Sequence, residues 1–321
     1  MGVLEPTDAA LARLDAYRAR RVGQMLVSDW AEPEYHDTPD LACVELEQLD
    51  GKSLLSEYSQ KQACYGTAPF DPQGARIRFF PGGITIWSGF PGAGKTTLLR
   101  QMVCHCLQRG SSVFVASLEE DTLSLIMRMV CVAAGTENPN AHQVQWFIDA
   151  FGARLKVLNR LGILGHRDLL AVIRKQAGAK GGIRHAIIDS LMCLDVSNDD
   201  FEGQRKFANL VAVTARQLMI HIHLVAHPRK LVSAHQEPDI NDVAGAREIG
   251  GIADNVLFVR RAQEEPETAG ATPMIVEIKK QRHGSGECGR IGGWFVRGMR
   301  QFHTEQFPAA ATRYLPADAY A

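Results

Sequence analysis

Gly89-Phe90-Pro91-Gly92-Ala93-Gly94-Lys95-Thr96 fits the phosphate-loop pattern G-x-x-x-x-G-K-[ST], and its flanks are those the pattern needs. Upstream, Gly83-Ile84-Thr85-Ile86-Trp87-Ser88 alternates β-branched and apolar residues and reads as a buried strand. Downstream, Thr97-Leu98-Leu99-Arg100-Gln101-Met102-Val103 has helical spacing. A strand, a glycine-rich turn and a helix N-terminus make a socket for phosphate, with backbone N–H groups closing around its oxygens. Lys95 supplies a point charge to the β- and γ-phosphates, and the hydroxyl of Thr96, followed by Thr97, can hold Mg²⁺. The chain is expected to bind a nucleoside triphosphate.

Working outward, from about residue 76 strands and helices alternate. Strands are expected at 84–88, 112–117, 184–189, 220–226, 255–260, 274–280 and 292–297, and helices at 95–109, 121–134, 166–177 and 202–218. Nearly continuous apolar strands separated by helices imply an α/β fold with a mostly parallel sheet covered on both faces. The last strands follow one another without helices and point to an antiparallel extension. Ligands bind such sheets at the carboxyl ends of the strands.

Residues 1–75 are different in character. Leu11, Leu14, Tyr17, Met25 and Leu26 mark an Arg-rich amphipathic helix over about 8–27. A proline-punctuated loop follows, then a possible helix over 53–62 and a linker through Pro69 and Pro72. The expected organisation is a helical and linker segment over 1–75, an ATPase domain over 76–305 and a tail over 306–321.

The 321 residues suffice for one large α/β domain with a smaller appendage. Hydrophobic content of 45% and charged content of 22% are ordinary for a globular protein. No apolar run is long enough for a bilayer, and the N-terminus lacks a signal-peptide layout. The cytoplasm of a bacterium or of a phage-infected cell is the expected location. Seven cysteines lie without C-x-x-C spacing, which suggests reduced thiols and no zinc site. The net charge of −1 excludes a uniformly basic surface but permits local basic loops for nucleic acid.

Four strand ends carry candidate chemistry. The strand Ser112–Leu118 closes on Glu119-Glu120-Asp121, where a carboxylate could activate water beside the γ-phosphate; the same acids would also favour the N-terminus of the next helix. His185-Ala186-Ile187-Ile188-Asp189 closes on the acid that holds Mg²⁺ in phosphate-loop enzymes. Ile220–Ala226 closes on His227, which can contact the γ-phosphate as a neutral donor, cap the surface, or share a metal with His221 and His223. Lys279-Lys280-Gln281-Arg282-His283-Gly284 ends a late strand; Arg282 there is either an arginine finger or part of a solvated basic turn.

In this order the motifs resemble the ring-forming hexameric helicases of superfamily 4, RecA-like phosphate-loop enzymes that include the helicase halves of mitochondrial Twinkle and of phage primase-helicases and, more distantly, the bacterial replicative helicase. The resemblance covers about 76–300. It implies that Glu119 is the catalytic acid of Ser117-Leu118-Glu119-Glu120, that His227-Pro228-Arg229-Lys230 is the phosphate-sensing motif, and that Asp242–Gly245 through Ala253–Val256 is the fourth motif. It also implies that Lys280 and Arg282 act on the neighbouring subunit's nucleotide. The expected cofactors are ATP or dTTP with Mg²⁺. The expected partners are single-stranded DNA, five further copies in a ring, and a separate primase and polymerase, with no membrane.

The family holds DNA in a central channel through loops after the Asp and His strands, which here carry Arg205 and Lys206, and Arg229 and Lys230. Those loops have few aromatics, Phe201 and Phe207 being the nearest, so backbone tracking is expected over base stacking. A solvated helix face is the other reading of Arg205 and Lys206. The chain departs from the family in three ways. Residues 1–75 are too short for a primase and hold no zinc ribbon. Glu248-Ile249-Gly250-Gly251-Ile252 replaces a basic or Gln-bearing segment. Either N-terminal helix could dock on a neighbour. The rival functions are a RecA-like ATPase of recombination or repair that does not unwind, and a nucleotide-switched replication factor.

Overall fold

The computed structural model describes residues 64–71, 76–179, 182–195, 200–228, 246–262, 270–283, 288–305 and 308–320, together with positions 12, 15, 16, 50 and 52. Its main feature is a nine-stranded sheet in the order β11-β10-β9-β8-β3-β7-β6-β4-β5. These strands are β3 (Ile84–Ser88), β4 (Val113–Ser117), β5 (Leu155–Val157), β6 (His185–Asp189), β7 (His221–Ala226), β8 (Asn255–Arg261), β9 (Ala271–Gln281), β10 (Gly289–Val296) and β11 (Gln301–His303). A two-stranded piece, β1 (Gly66–Thr67) with β2 (Arg78–Phe79), stands apart. From β8 to β5 by way of β3, β7, β6 and β4 every pairing is parallel, whereas β8-β9, β9-β10 and β10-β11 are antiparallel.

The helices are α1 (Lys95–Gln108), α2 (Thr122–Ala134), α3 (Ala141–Phe151), α4 (His166–Gly178), α5 (Phe201–Leu218) and α6 (Ala246–Ile252). Period-two alternation along the strands sorts them onto two faces. Val113 and Val115 of β4 enter a cluster with Leu98, Leu125 and Phe147 of α1, α2 and α3. Phe114 and Ala116 enter a second cluster with Leu169, Phe207 and Ile249 of α4, α5 and α6. All five residues of each of β3, β4 and β6 are buried, as a sheet covered on both faces requires.

The seven strands and four helices expected from sequence all form, as does the antiparallel extension. The expectation omitted α3, whose start is set by a capping box in which Asn140 and Gln143 accept each other's backbone N–H. It also omitted β1, β2, β5 and β11, strands of two or three residues too short to show a period. The proposed helix over 53–62, most of that over 8–27 and the motif at Asp242–Gly245 lie outside the described residues. Ala12, Asp15 and Ala16 are helical, and Asp15 accepts a two-pronged bond from Arg184, at the foot of β6 in the same chain. Beyond 308 the chain packs on α2: Tyr314 and Leu315 are buried, and Tyr320 Oη donates to the Ala133 carbonyl at 2.9 Å.

His221 and His223 share a strand face, but they form no metal site with the other described residues. They join His185 in a buried cluster. His185 Nδ1 lies 3.1 Å from His223 Nε2, Trp87 donates to His223 Nδ1 at 3.3 Å, and His221 bonds the Thr85 hydroxyl at 2.8 Å and the Phe80 carbonyl at 2.9 Å. Phe79 packs against all three rings. Burial pushes His221 down to about 4 and His185 and His223 well below the usual histidine range, with mutual repulsion adding to it.

Above pH 6.5 folded and unfolded chains both hold these rings neutral. As pH falls below 6.5 the unfolded chain binds protons that the folded core refuses, so stability drops. The slope is about 1.4 kcal/mol per pH unit for each ring. Urea midpoints measured between pH 6.5 and 5 should therefore fall steeply, and His185→Leu should make the fall shallower. A flat profile over that interval would refute the assignment.

Candidate nucleotide site

The site lies where β3 stops. Gly89 has φ 147°, and a Cβ there would come within 2.2 Å of the Val259 carbonyl oxygen on the neighbouring strand. Only glycine lets the chain leave the sheet at this point. Gly94, at φ 96°, is the N-cap of α1. Between them Phe90 sets its ring against Phe258 at 6.0 Å, Ala93 is buried, and Pro91 and Gly92 face solvent. The N-terminus of α1 thus opens into a cleft of about 610 Å³, lined also by Thr97, Glu119, Asp189 and His227.

Lys95 Nζ folds back on the loop, donating to the Gly89 carbonyl and to that of Phe90 at 3.0 Å. Burial pushes its pKa down, and the charges of Asp189 and Glu119 partly restore it. Thr96 Oγ1 donates to Asp189 Oδ2 at 3.0 Å. Burial raises the pKa of Asp189, and the Thr96 bond opposes the rise. A hydroxyl and a carboxylate held together at a helix N-terminus, beside a lysine, are the hard oxygen donors that suit Mg²⁺ on a polyphosphate. The donor set and the three glycines of the loop, Gly89, Gly92 and Gly94, fit a nucleoside triphosphate.

The three acids after β4 have separate fates. Glu120 is bound by Arg100 of α1 and by Arg128 Nε of α2 at 2.9 Å. Asp121 caps α2, accepting from Ser124 N at 2.9 Å. All three line the cleft, but Glu119 neither pairs with a guanidinium nor caps a helix: its side chain is 48% exposed and lies 3.8 Å from His227 Nε2. Burial lowers the pKa of His227 and the Lys95 charge lowers it further, against the pull of Glu119, so a neutral imidazole faces the cleft. Glu120 and Asp121 thus each have a structural partner, and Glu119 does not share either arrangement. The structure adds Ser190, Arg100 and Arg128, whose bonds to these acids follow no sequence motif.

Lys280 and Arg282 are elsewhere. β9 runs antiparallel to β8, so Arg282 stands beside Asp254 at the start of β3 and β8. At about 3.3 Å per strand residue this is roughly 15 Å from the phosphate loop. There Lys280 Nζ donates to the Gly250 and Gly251 carbonyls at 2.7 and 3.0 Å, and Arg282 Nη2 to that of Gly251 at 2.6 Å. Arg205 and Lys206 sit on a helix and not in a loop. Asp200 caps α5 through Gly203 N at 2.9 Å, and both cations lie within 4 Å of Glu202 while 65% and 70% exposed. Phe207 is buried against His166 and is not available to a base. Arg229 and Lys230 lie outside the described residues.

The family model for the DnaB-like helicase C terminal domain matches residues 78–304. Among solved structures, one ATPase domain is 17% identical at a TM-score of 0.65, covering 79% of this chain and 99% of that one. A DnaB-like replicative helicase, solved for its interactions with primase, is 17% identical at a TM-score of 0.63, covering 92% and 76%. At such identity these likenesses speak for the RecA-like fold alone. A comparison with curated proteins finds no significant match. No described helix is long and apolar enough to cross a membrane.

The division of labour between the two glutamates is testable by stability. Glu120→Ala strands Arg100, which is 8% exposed, and should cost roughly 3 kcal/mol. Glu119→Ala removes a half-exposed side chain and should cost under about 1 kcal/mol. Equal shifts in the urea midpoint would contradict the division.

Proposed function

Because this chain belongs to the family of DnaB-like helicase C-terminal domains and is an ATP-hydrolysing helicase, we propose that it drives DNA replication in a bacterial or phage-infected cell as a hexameric ring, translocating on single-stranded DNA and unwinding the duplex ahead. The observation that carries this reading is the separation of the site into two halves. Lys95, Thr96, Asp189, Glu119 and His227 converge on one cleft, while Lys280 and Arg282 stand at the opposite end of the sheet. A finger at that end cannot serve its own cleft and is placed to serve another copy's. Repetition of one head-to-tail contact closes a ring when the rotation allows.

Within the proposed site Gly89–Gly94 bind the phosphates through backbone N–H groups, and Lys95 leaves its carbonyl partners for the β- and γ-oxygens. Thr96 and Asp189 would hold Mg²⁺, which would supply positive charge against that developing on the transferred phosphate. Glu119 accepts the proton of the attacking water. The neutral His227 donates to the γ-phosphate and passes on its loss to the segment that follows, which includes Arg229 and Lys230. Arg282, with Lys280, leaves the carbonyls of the α6 end to stabilise charge on the neighbour's nucleotide. ATP or dTTP would fit a socket that reads phosphates first.

Arg205, Lys206, Arg229 and Lys230 are proposed to hold DNA phosphates, which makes binding salt-dependent and indifferent to sequence. Interaction with primase is named for one structural neighbour, and a separate primase and polymerase are proposed partners here. The segment over 1–75 is the proposed docking element between subunits, through either of the helices expected in it.

Trans action of the finger has a direct test. Arg282→Ala alone and Lys95→Ala alone should each abolish DNA-stimulated hydrolysis, with nucleotide binding kept by the first and lost by the second. Mixed rings should regain hydrolysis, because a Lys95→Ala subunit still lends Arg282 to an intact loop next door. Near-normal turnover of Arg282→Ala, or no recovery on mixing, would overturn the reading.

A further inference from the structure

Ser190 follows Asp189 at the tip of β6 and is completely buried. Its Oγ donates a hydrogen bond to Glu119 Oε1, on the tip of the adjacent strand. The two tips are held in register. Ser117 pairs with Asp189, and Leu118 N donates to the Asp189 carbonyl at 2.8 Å, carrying the ladder one residue past β4. On the other side the backbone of Ser190 is tied down by its carbonyl, which accepts from Cys193 N at 3.2 Å. The hydroxyl is therefore a fixed point, whereas Glu119 is half exposed and has three side-chain torsions.

Two of the side chains around Glu119 meet it at the same oxygen. Ser190 Oγ and His227 Nε2 both face Oε1, which leaves Oε2 to receive a proton. The contrast with Glu120 is informative. Two guanidiniums bind Glu120 and occupy its carboxylate in a structural role. A single neutral hydroxyl fixes a rotamer and leaves the second oxygen open. An ionised carboxylate only accepts hydrogen bonds, so the Ser190 hydroxyl must donate and its proton is committed.

We propose that Ser190 is the positioning residue of the general base, holding Glu119 by one oxygen so that the other meets the attacking water. This rests on the reading of Glu119 as that base. A base must lie within hydrogen-bond reach of the proton it takes, and a displacement near 1 Å can cost about 100-fold in rate.

Steady-state ATP hydrolysis by the full chain with saturating single-stranded DNA tests it. Ser190→Ala should lower kcat about 10- to 100-fold. KM for ATP and the Mg²⁺ concentration giving half-maximal rate should stay within about twofold. In a Glu119→Gln background, already slow, adding Ser190→Ala should lower the rate no further, because residues acting through one another are not additive. A kcat within about twofold of the parent in Ser190→Ala would overturn the positioning role while slow Glu119→Gln left the base in place. An equal loss in both backgrounds, or a raised Mg²⁺ requirement with unchanged kcat, would also overturn it, by showing a general structural effect or action through Asp189. Near-normal turnover by Glu119→Gln would remove the base itself, and the proposal with it.

Discussion

β3 is paired on both edges, to β7 and to β8, and buried at all five residues, and each group in the cleft takes its place from that strand. Being central, β3 cannot shift register without turning its side chains to the wrong face. Its end therefore fixes where Gly89 leaves the sheet, and the contact of Gly89 with Val259 admits no side chain there. The turn in its place fixes the start of α1, and with it Lys95 and Thr96. The neighbours complete the arrangement: the tips of β4, β6 and β7 bring Glu119, Asp189 and His227 to the same end. The antiparallel run from β8 to β9 sends Lys280 and Arg282 to the other. One sheet thus separates the end that holds the phosphate loop from the end that holds Lys280 and Arg282, and the proposed ring rests on that separation.

The charge arrangement in the cleft shows how identical side chains are given different work. Glu119 and Glu120 are adjacent, yet one meets a neutral hydroxyl and an imidazole while the other meets two guanidiniums. The buried histidines behind the cleft make the same point about neutral forms. Apolar packing keeps His185, His221 and His223 uncharged, so β6 and β7 carry polar rings in the core without buried charge.

The parts legible in the sequence were those with a local signature. The phosphate loop with its strand and helix, the buried strands and their terminal Asp189 and His227, and the change to consecutive strands after β8 all leave a period or a fixed spacing. What was not legible depends on contacts across the sheet. Ser190 and Glu119 are 71 positions apart, and no pattern near either marks the bond. The choice among Glu119, Glu120 and Asp121 needed Arg100 and Arg128 from two helices. Arg205 and Lys206 fall in the helix expected over 202–218, which forms as α5 behind its Asp200 cap; only the family resemblance assigned them to a loop. The α3 helix was missed although Val144, Phe147, Ile148 and Phe151 stand at helical spacing and its Asn140-x-x-Gln143 capping box stood in the sequence.

The central claim is that this chain is a DNA-driven ring motor whose site is shared between copies. ATP hydrolysis with and without single-stranded DNA, on protein sized by light scattering in Mg²⁺-nucleotide, tests it most directly. A six-fold particle whose turnover rises strongly with DNA is the expected result. A monomer or dimer whose turnover ignores DNA would contradict the claim and point instead to a nucleotide-switched regulatory ATPase.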